Sequence, residues 1–203
     1  EISVYSLWQA VTVISFSVLA PWIAIGRNKK NIAVGIFLFT IFVGPLPIVL
    51  RLLDPFIGIS IFPANGSDAL WYILLIHSCL TVSLGSLGFI FIGSMAMEIV
   101  EDVEASTGRR EEGLLGTVNA FVHKLVGAGG VLIAGIIVSW SGFDDPNATQ
   151  EMLTGEVINR FALVHVIIGT CLPIFSTLLV LMYSIDRKGH LDNVNDLGYV
   201  RDD

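Results

Sequence analysis

Five stretches of this chain are long, apolar and nearly free of charge, and that feature decides what the chain can fold into. Residues 2–26, 31–50, 69–97 and 161–184 contain no Asp, Glu, Lys or Arg, and residues 113–140 contain a single one, Lys124. A helix of about 20 apolar residues crosses the hydrocarbon core of a bilayer, so each stretch is long enough to span it. Hydrocarbon offers a backbone amide no outside partner, which leaves helices bonded within themselves as the structure available to such segments. The chain is therefore an all-α integral membrane protein, with five transmembrane helices at about 2–26, 31–51, 69–103, 111–140 and 159–184. These form one bundle over residues 1–184, and residues 185–203 form a tail.

The rest of the composition agrees. Hydrophobic residues make up 54% of the chain and charged ones 14%, and the 11 basic and 18 acidic residues gather between the apolar runs. The net charge of -7 thus describes loops and a tail, and nothing suggests a nucleic-acid partner. Cys79 and Cys171 both fall inside apolar runs, where a thiol packs as a small hydrophobe. Without a CxxC, an H-E-x-x-H or a serine–histidine pair at motif spacing, neither a metal nor an enzymatic function is expected.

Pro45 and Pro47 lack the N–H that helix bonding needs and predict a kink or an early end to the second helix. The third run exceeds what a perpendicular helix requires, which predicts tilt or extension into water. Linkers 54–68 and 141–159 carry turn formers and no basic residue, with sequons at Asn65 and Asn147 that chance explains. The tail lacks apolar periodicity and reads as soluble and mobile. Arg27, Lys29, Lys30, Arg109, Arg110, Arg187 and Lys188 mark one membrane side, against Arg51 and Arg160 near the other. Basic residues in short loops stay cytoplasmic, so the C-terminus is predicted inside a cell (inner) membrane and the start of the chain outside. Such a start suits the later portion of a longer protein.

The stretch from Met95 to Trp140 concentrates what chemistry the chain has. If the third helix continues past Met97, Glu98, Glu101 and Asp102 share a face at its negative end, where they repel one another and the dipole disfavours them. They need cationic partners, and Arg109 and Arg110 are the nearest in sequence. Lys124 lies about 17 Å into a helix starting near Gly113, close to the bilayer middle. A lysine there costs at least about 2.5–3.5 kcal/mol on insertion scales, so it is expected to face a protein interior or a water-filled cavity and to be paired. Gly116, Asn119 or Ala120, Lys124 and Gly127 fall at helical spacing as one small, polar stripe. His77 and His165 are expected as hydrogen-bonded contacts between helices.

The order M-x-x-E-I-V-E-D-x-E-x-x-T-G-R-R-x-E-G-L followed by N-A-F-V-H-K-L resembles the stretch joining helices ten and eleven of the glycoside-pentoside-hexuronide:cation symporters, the melibiose permease group of the major facilitator superfamily. G-R-N-K-K at residues 26–30 looks like a shortened form of that superfamily's basic loop between helices eight and nine. The resemblance covers nearly the whole chain, as helices eight to twelve of a twelve-helix fold. It implies cation-coupled symport of a small polar solute by alternating access. Glu98, Glu101, Glu104, Arg110 and Glu112 match charged residues that help close the cytoplasmic side, and Lys124 matches a cavity-facing lysine. Asn119, Ala120 and Phe89 stand at or near substrate-facing positions where the family has glutamine, threonine and tryptophan. The partners implied are the solute, the bilayer and a preceding six-to-seven-helix portion of the same transporter. A coupling Na+ or H+ would be bound mainly by that preceding portion, with no other cofactor. Transport of lysolipid, drug or peptide-fragment substrates, and a non-transporting assembly subunit, stay open as alternatives.

Overall fold

The computed structural model describes residues 2–58, 61–64, 66–141 and 155–199, and all their regular structure is helical. Helices α1 (Ile2–Ala24), α2 (Lys29–Val43), α3 (Leu46–Ile57), α4 (Asp68–Thr107), α5 (Glu112–Ser141), α6 (Gly155–Leu181) and α7 (Arg187–Asp196) follow in order. Five units are long and apolar enough to cross a membrane: α1, α2 with α3, α4, α5 and α6. α1 and α2 pack against α4, and α6 packs against α2. Ala20, Ala33, Leu87, Phe91 and Met95 fill the centre of that contact, with Phe16, Ile36 and Phe37 around them. α2 packs tightly on α4 at Gly88, where a Cβ would stand 2.8 Å from the Phe37 ring, so the small residue leaves room for that ring.

The second span breaks as its prolines require, and then continues further than expected. α2 ends at Val43, Gly44 N–H bonds Thr40 O at 2.8 Å, and Pro45 opens α3. In an unbroken helix the Val43 carbonyl would receive the N–H of residue 47, which is Pro47 and has none. His77 on α4 supplies the missing donor: its Nε2 donates to Val43 O at 2.8 Å, which fixes that nitrogen as protonated. The expected linker from residue 54 is corrected at its start, since α3 runs to Ile57 through Pro55. Gly58 closes it in the left-handed conformation at φ 72°, donating to Asp54 O at 3.0 Å, while Asp54 Oδ1 accepts from Ile61 N. Asn65 and residues 147–149 of the two sequons lie outside the described residues, as do 142–154 of the second linker.

α4 has 40 residues and a length of about 60 Å, twice the hydrocarbon thickness. Ser67 caps its start by accepting from Leu70 N, and Gly108 ends it at φ 70°. Its last turns, beyond Met97, carry the carboxylates. The tail reading is corrected by α7, a ten-residue helix capped by Asp186, whose side chain accepts from Gly189 N at 2.8 Å. α7 buries none of its residues, so apolar periodicity could not reveal it; polar contacts to α4 hold it instead.

Replacing His77 by Ala leaves the Val43 carbonyl unpaired within the span, at a cost of about 1–3 kcal/mol. The thermal midpoint of the purified full-length protein in detergent is expected to fall, and His77→Gln, which keeps a donor, to restore part of the loss. Equal midpoints for wild type and His77→Ala would contradict the role assigned to this bond.

Candidate functional site

The carboxylates at the end of α4 find partners on five other segments. Glu98 is buried, with its side chain 8% exposed; Lys29 Nζ lies 2.6 Å from Oε1, and the Tyr183 hydroxyl donates to Oε2 at 2.6 Å. This junction joins the first residue of α2, the C-terminal part of α4 and the segment after α6. Breaking a buried pair from one side costs roughly 3–5 kcal/mol, and the partial exposure of Lys29 places this one at or below the low end. Burial, then the bond to Glu98, pushes the Tyr183 phenol well above the ordinary tyrosine range, so it remains a donor at physiological pH. Next to it, Lys30 Nζ donates to Leu181 O at 2.8 Å and Tyr183 O at 2.7 Å, a cation on the free carbonyls that end α6.

Further along α4, Glu101 Oε2 lies 2.9 Å from His190 Nδ1 on α7, within ion-pairing distance but without hydrogen-bond alignment. Asn193 Nδ2 donates to Asp102 Oδ1 at 2.9 Å. The Tyr199 hydroxyl donates to Glu104 Oε1 at 3.0 Å and accepts from Arg110 Nη1 at 2.8 Å, with the guanidinium 5.8 Å from the centre of the Tyr199 ring. Arg110 also contacts Glu112 at 3.0 Å and Glu104 at 3.4 Å. The bond to Glu112 leads in raising the arginine's affinity for its proton, followed by the bond to Tyr199. Repulsion along the α4 face is thus relieved by a cation at Glu98 and at Glu104 and by an amide donor at Asp102.

Glu98, Glu101, Glu104, Arg110 and Glu112 therefore gather at one end of the bundle. Arg110 partners Glu104 and Glu112, whereas Glu98 takes Lys29 from the α1–α2 turn and Glu101 takes His190. Lys29, Tyr183, His190, Asn193 and Tyr199 were not singled out as partners from sequence. The basic G-R-N-K-K loop was a usable signal for Lys29; nothing local marks the others, which lie about 85 or more residues from their carboxylates.

The residues expected to face solute lie elsewhere. Asn119, Ala120 and Lys124 are exposed on α5, a span exposed on nearly every face, and Phe89 on α4 is 66% exposed. Lys124 makes no hydrogen bond or ion pair with any described residue, so the expectation that it is enclosed and paired is not met among the described residues of this chain. The physical reason is that α5 touches the bundle along little of its length, chiefly through α6.

Among known proteins, a family model described as MFS/sugar transport protein matches residues 1–187, which takes in all five spans, the acidic end of α4 and the α5 stripe. No curated protein and no solved structure matches the chain. A match over nearly the full length, on an all-helical chain with five membrane-length spans, identifies it: the chain belongs to the MFS/sugar transport protein family of the major facilitator superfamily, a family of multi-pass membrane transporters.

Proposed function

We propose that this chain is the C-terminal portion of a secondary active symporter of the melibiose permease-like group, equivalent to helices eight to twelve. It carries a small polar solute of sugar or glycoside type together with Na+ or H+ across a cell (inner) membrane, with the C-terminus cytoplasmic. One observation carries the reading: Lys124 stands mid-span on an exposed α5 face with no partner among the described residues. A charge at that depth is tolerated only against protein or water, so what faces Lys124 is a cavity shared with helices preceding this chain. There its ammonium donates up to three hydrogen bonds to solute hydroxyls, with Ala120 one turn away leaving space, and Asn119, five residues away and about 140° around the helix, adds an amide from the flank. Phe89 offers an apolar surface to a sugar ring.

The charged end of α4 serves as an inner gate in this reading. The Lys29–Glu98–Tyr183 junction and the Arg110 cluster are short-range and partly exposed, strong enough to favour one conformation and weak enough to separate. Solute and cation are coupled because together they bind one conformation better than either does alone.

Lys124→Ala in the full-length transporter is expected to abolish gradient-driven sugar uptake at unchanged membrane abundance; unchanged uptake overturns the assignment. Glu98→Gln and Lys29→Gln are each expected to lower uptake several-fold. The charge swap Lys29→Glu with Glu98→Lys is expected to recover part of it, with a coupling of about 1–3 kcal/mol in the double-mutant cycle. Additive effects would show that the pair is not a gate.

A further inference from the structure

The end of the bundle that carries α7 also holds a cavity of about 280 Å³, lined by the end of α1, the turn from Ile25 through Arg27 to the start of α2, Glu98, and Arg187, His190 and Leu191 of α7. Its charges do not cancel. Lys29 and Glu98 neutralise each other, and Glu101 faces His190 from the α4 side, while Asp186 is turned to the N–H of Gly189. Arg27 and Arg187 line the same cavity, and neither has an ion pair or side-chain hydrogen bond among the described residues. One cavity thus holds two free, bidentate donors on two separate elements.

Apolar side chains of the first span's end and of α7 flank the same cavity. Ile25 is 74% exposed and Trp22, one turn below, 73%, while Leu191 lies exposed on α7. Guanidinium recognises phosphate oxygens bidentately, and basic pockets at a membrane surface are suited to lipid head groups. We propose that this cavity is a binding site for the phosphate of an anionic phospholipid, in the leaflet that meets the α7 end of the bundle. The phosphate sits between Arg27 and Arg187, and the acyl chains lie along Trp22 and Ile25. A volume slightly under the usual range for small-molecule pockets suits a head group whose chains remain outside. The apolar flank favours a lipid over a free phosphate ester, which would gain nothing from it. Bound there, the phosphate ties the α1–α2 turn to the start of α7, two elements on either side of the Lys29–Glu98 pair.

The test is native mass spectrometry of the full-length protein in detergent, titrated with dioctanoyl phosphatidylglycerol, dioctanoyl phosphatidylcholine or inorganic phosphate. Phosphatidylglycerol is expected to bind in preference to phosphatidylcholine, and the double variant Arg27→Gln/Arg187→Gln to weaken it about tenfold, roughly 1.4 kcal/mol. The control Arg109→Gln/Lys188→Gln removes the same charge from the same end outside the cavity and is expected to bind as wild type. Equal loss in both double variants means general surface charge and overturns the site. Equal binding of phosphatidylglycerol and phosphatidylcholine overturns the anionic preference, and displacement of phosphatidylglycerol by inorganic phosphate at matched concentration overturns the lipid source.

Discussion

Hydrocarbon cannot hydrate a polar group, and most of the structure inside the spans answers that one constraint. Serines and threonines of the spans turn back on their own helix: Ser15 to Val11 O, Ser17 to Val13 O, Thr177 to Pro173 O. Gln9 of α1 donates to Ser78 of α4, so an amide becomes a bond between helices. The break at Gly44–Pro45 exposes the Val43 carbonyl, and His77 closes the gap from α4. A kink that would otherwise be costly becomes an attachment point between α2 and α4, about three turns along α4 from where Gly88 and Phe37 bring the same helices together. Among the described residues the buried Ser83 hydroxyl also lacks a partner, but Lys124 departs further from this pattern because it carries a charge that the described bundle does not pair.

At the α7 end the same accounting applies to charges. α4 projects past the bilayer and carries four acidic residues at its dipole-disfavoured end, an arrangement that would destabilise an isolated helix. Their partners come from separate segments: Lys29 at the start of α2 meets Glu98, His190 and Asn193 of α7 face Glu101 and Asp102, and Arg110 and Tyr199, from the loop and the segment after α7, meet Glu104. α4 acts as a mast to which otherwise separate elements are tied by polar contacts. Exposed pairs of this kind contribute little singly, and the buried Glu98 junction contributes more. An assembly held so can come apart piecewise, which suits a gate better than a permanent brace.

The spans were legible because lipid imposes length and apolarity directly on sequence. The span starts and ends read from the residues fall within a few positions of α1, α4, α5 and α6, and Pro45 marked the break. Other features were illegible for identifiable reasons. Asp54 and Pro55 read as turn formers, yet a proline late in α3 forfeits only one bond, and the stop comes at Gly58. α7 has no apolar face, so its helix is specified by the Asp186 cap and by contacts to residues about 90 positions earlier. The acidic cluster announced that it needed cations, but only the fold could choose Lys29 over Arg110 for Glu98. For Lys124 the sequence stated the requirement and the five-helix bundle does not fulfil it, since α5 presents that face outward.

The central claim is that the α5 face carrying Lys124 borders water and solute rather than lipid. Ala120 lies one turn from Lys124 on that face, and Val122 lies about 200° around the helix at similar depth. The direct measurement is labelling of Ala120→Cys and Val122→Cys by a membrane-impermeant thiol reagent in the full-length protein, with the native cysteines, Cys79 and Cys171 included, replaced. The account predicts that Ala120→Cys reacts, that a transported sugar slows the reaction, and that Val122→Cys does not react. An unreactive Ala120→Cys, or equal labelling at both positions, would contradict it.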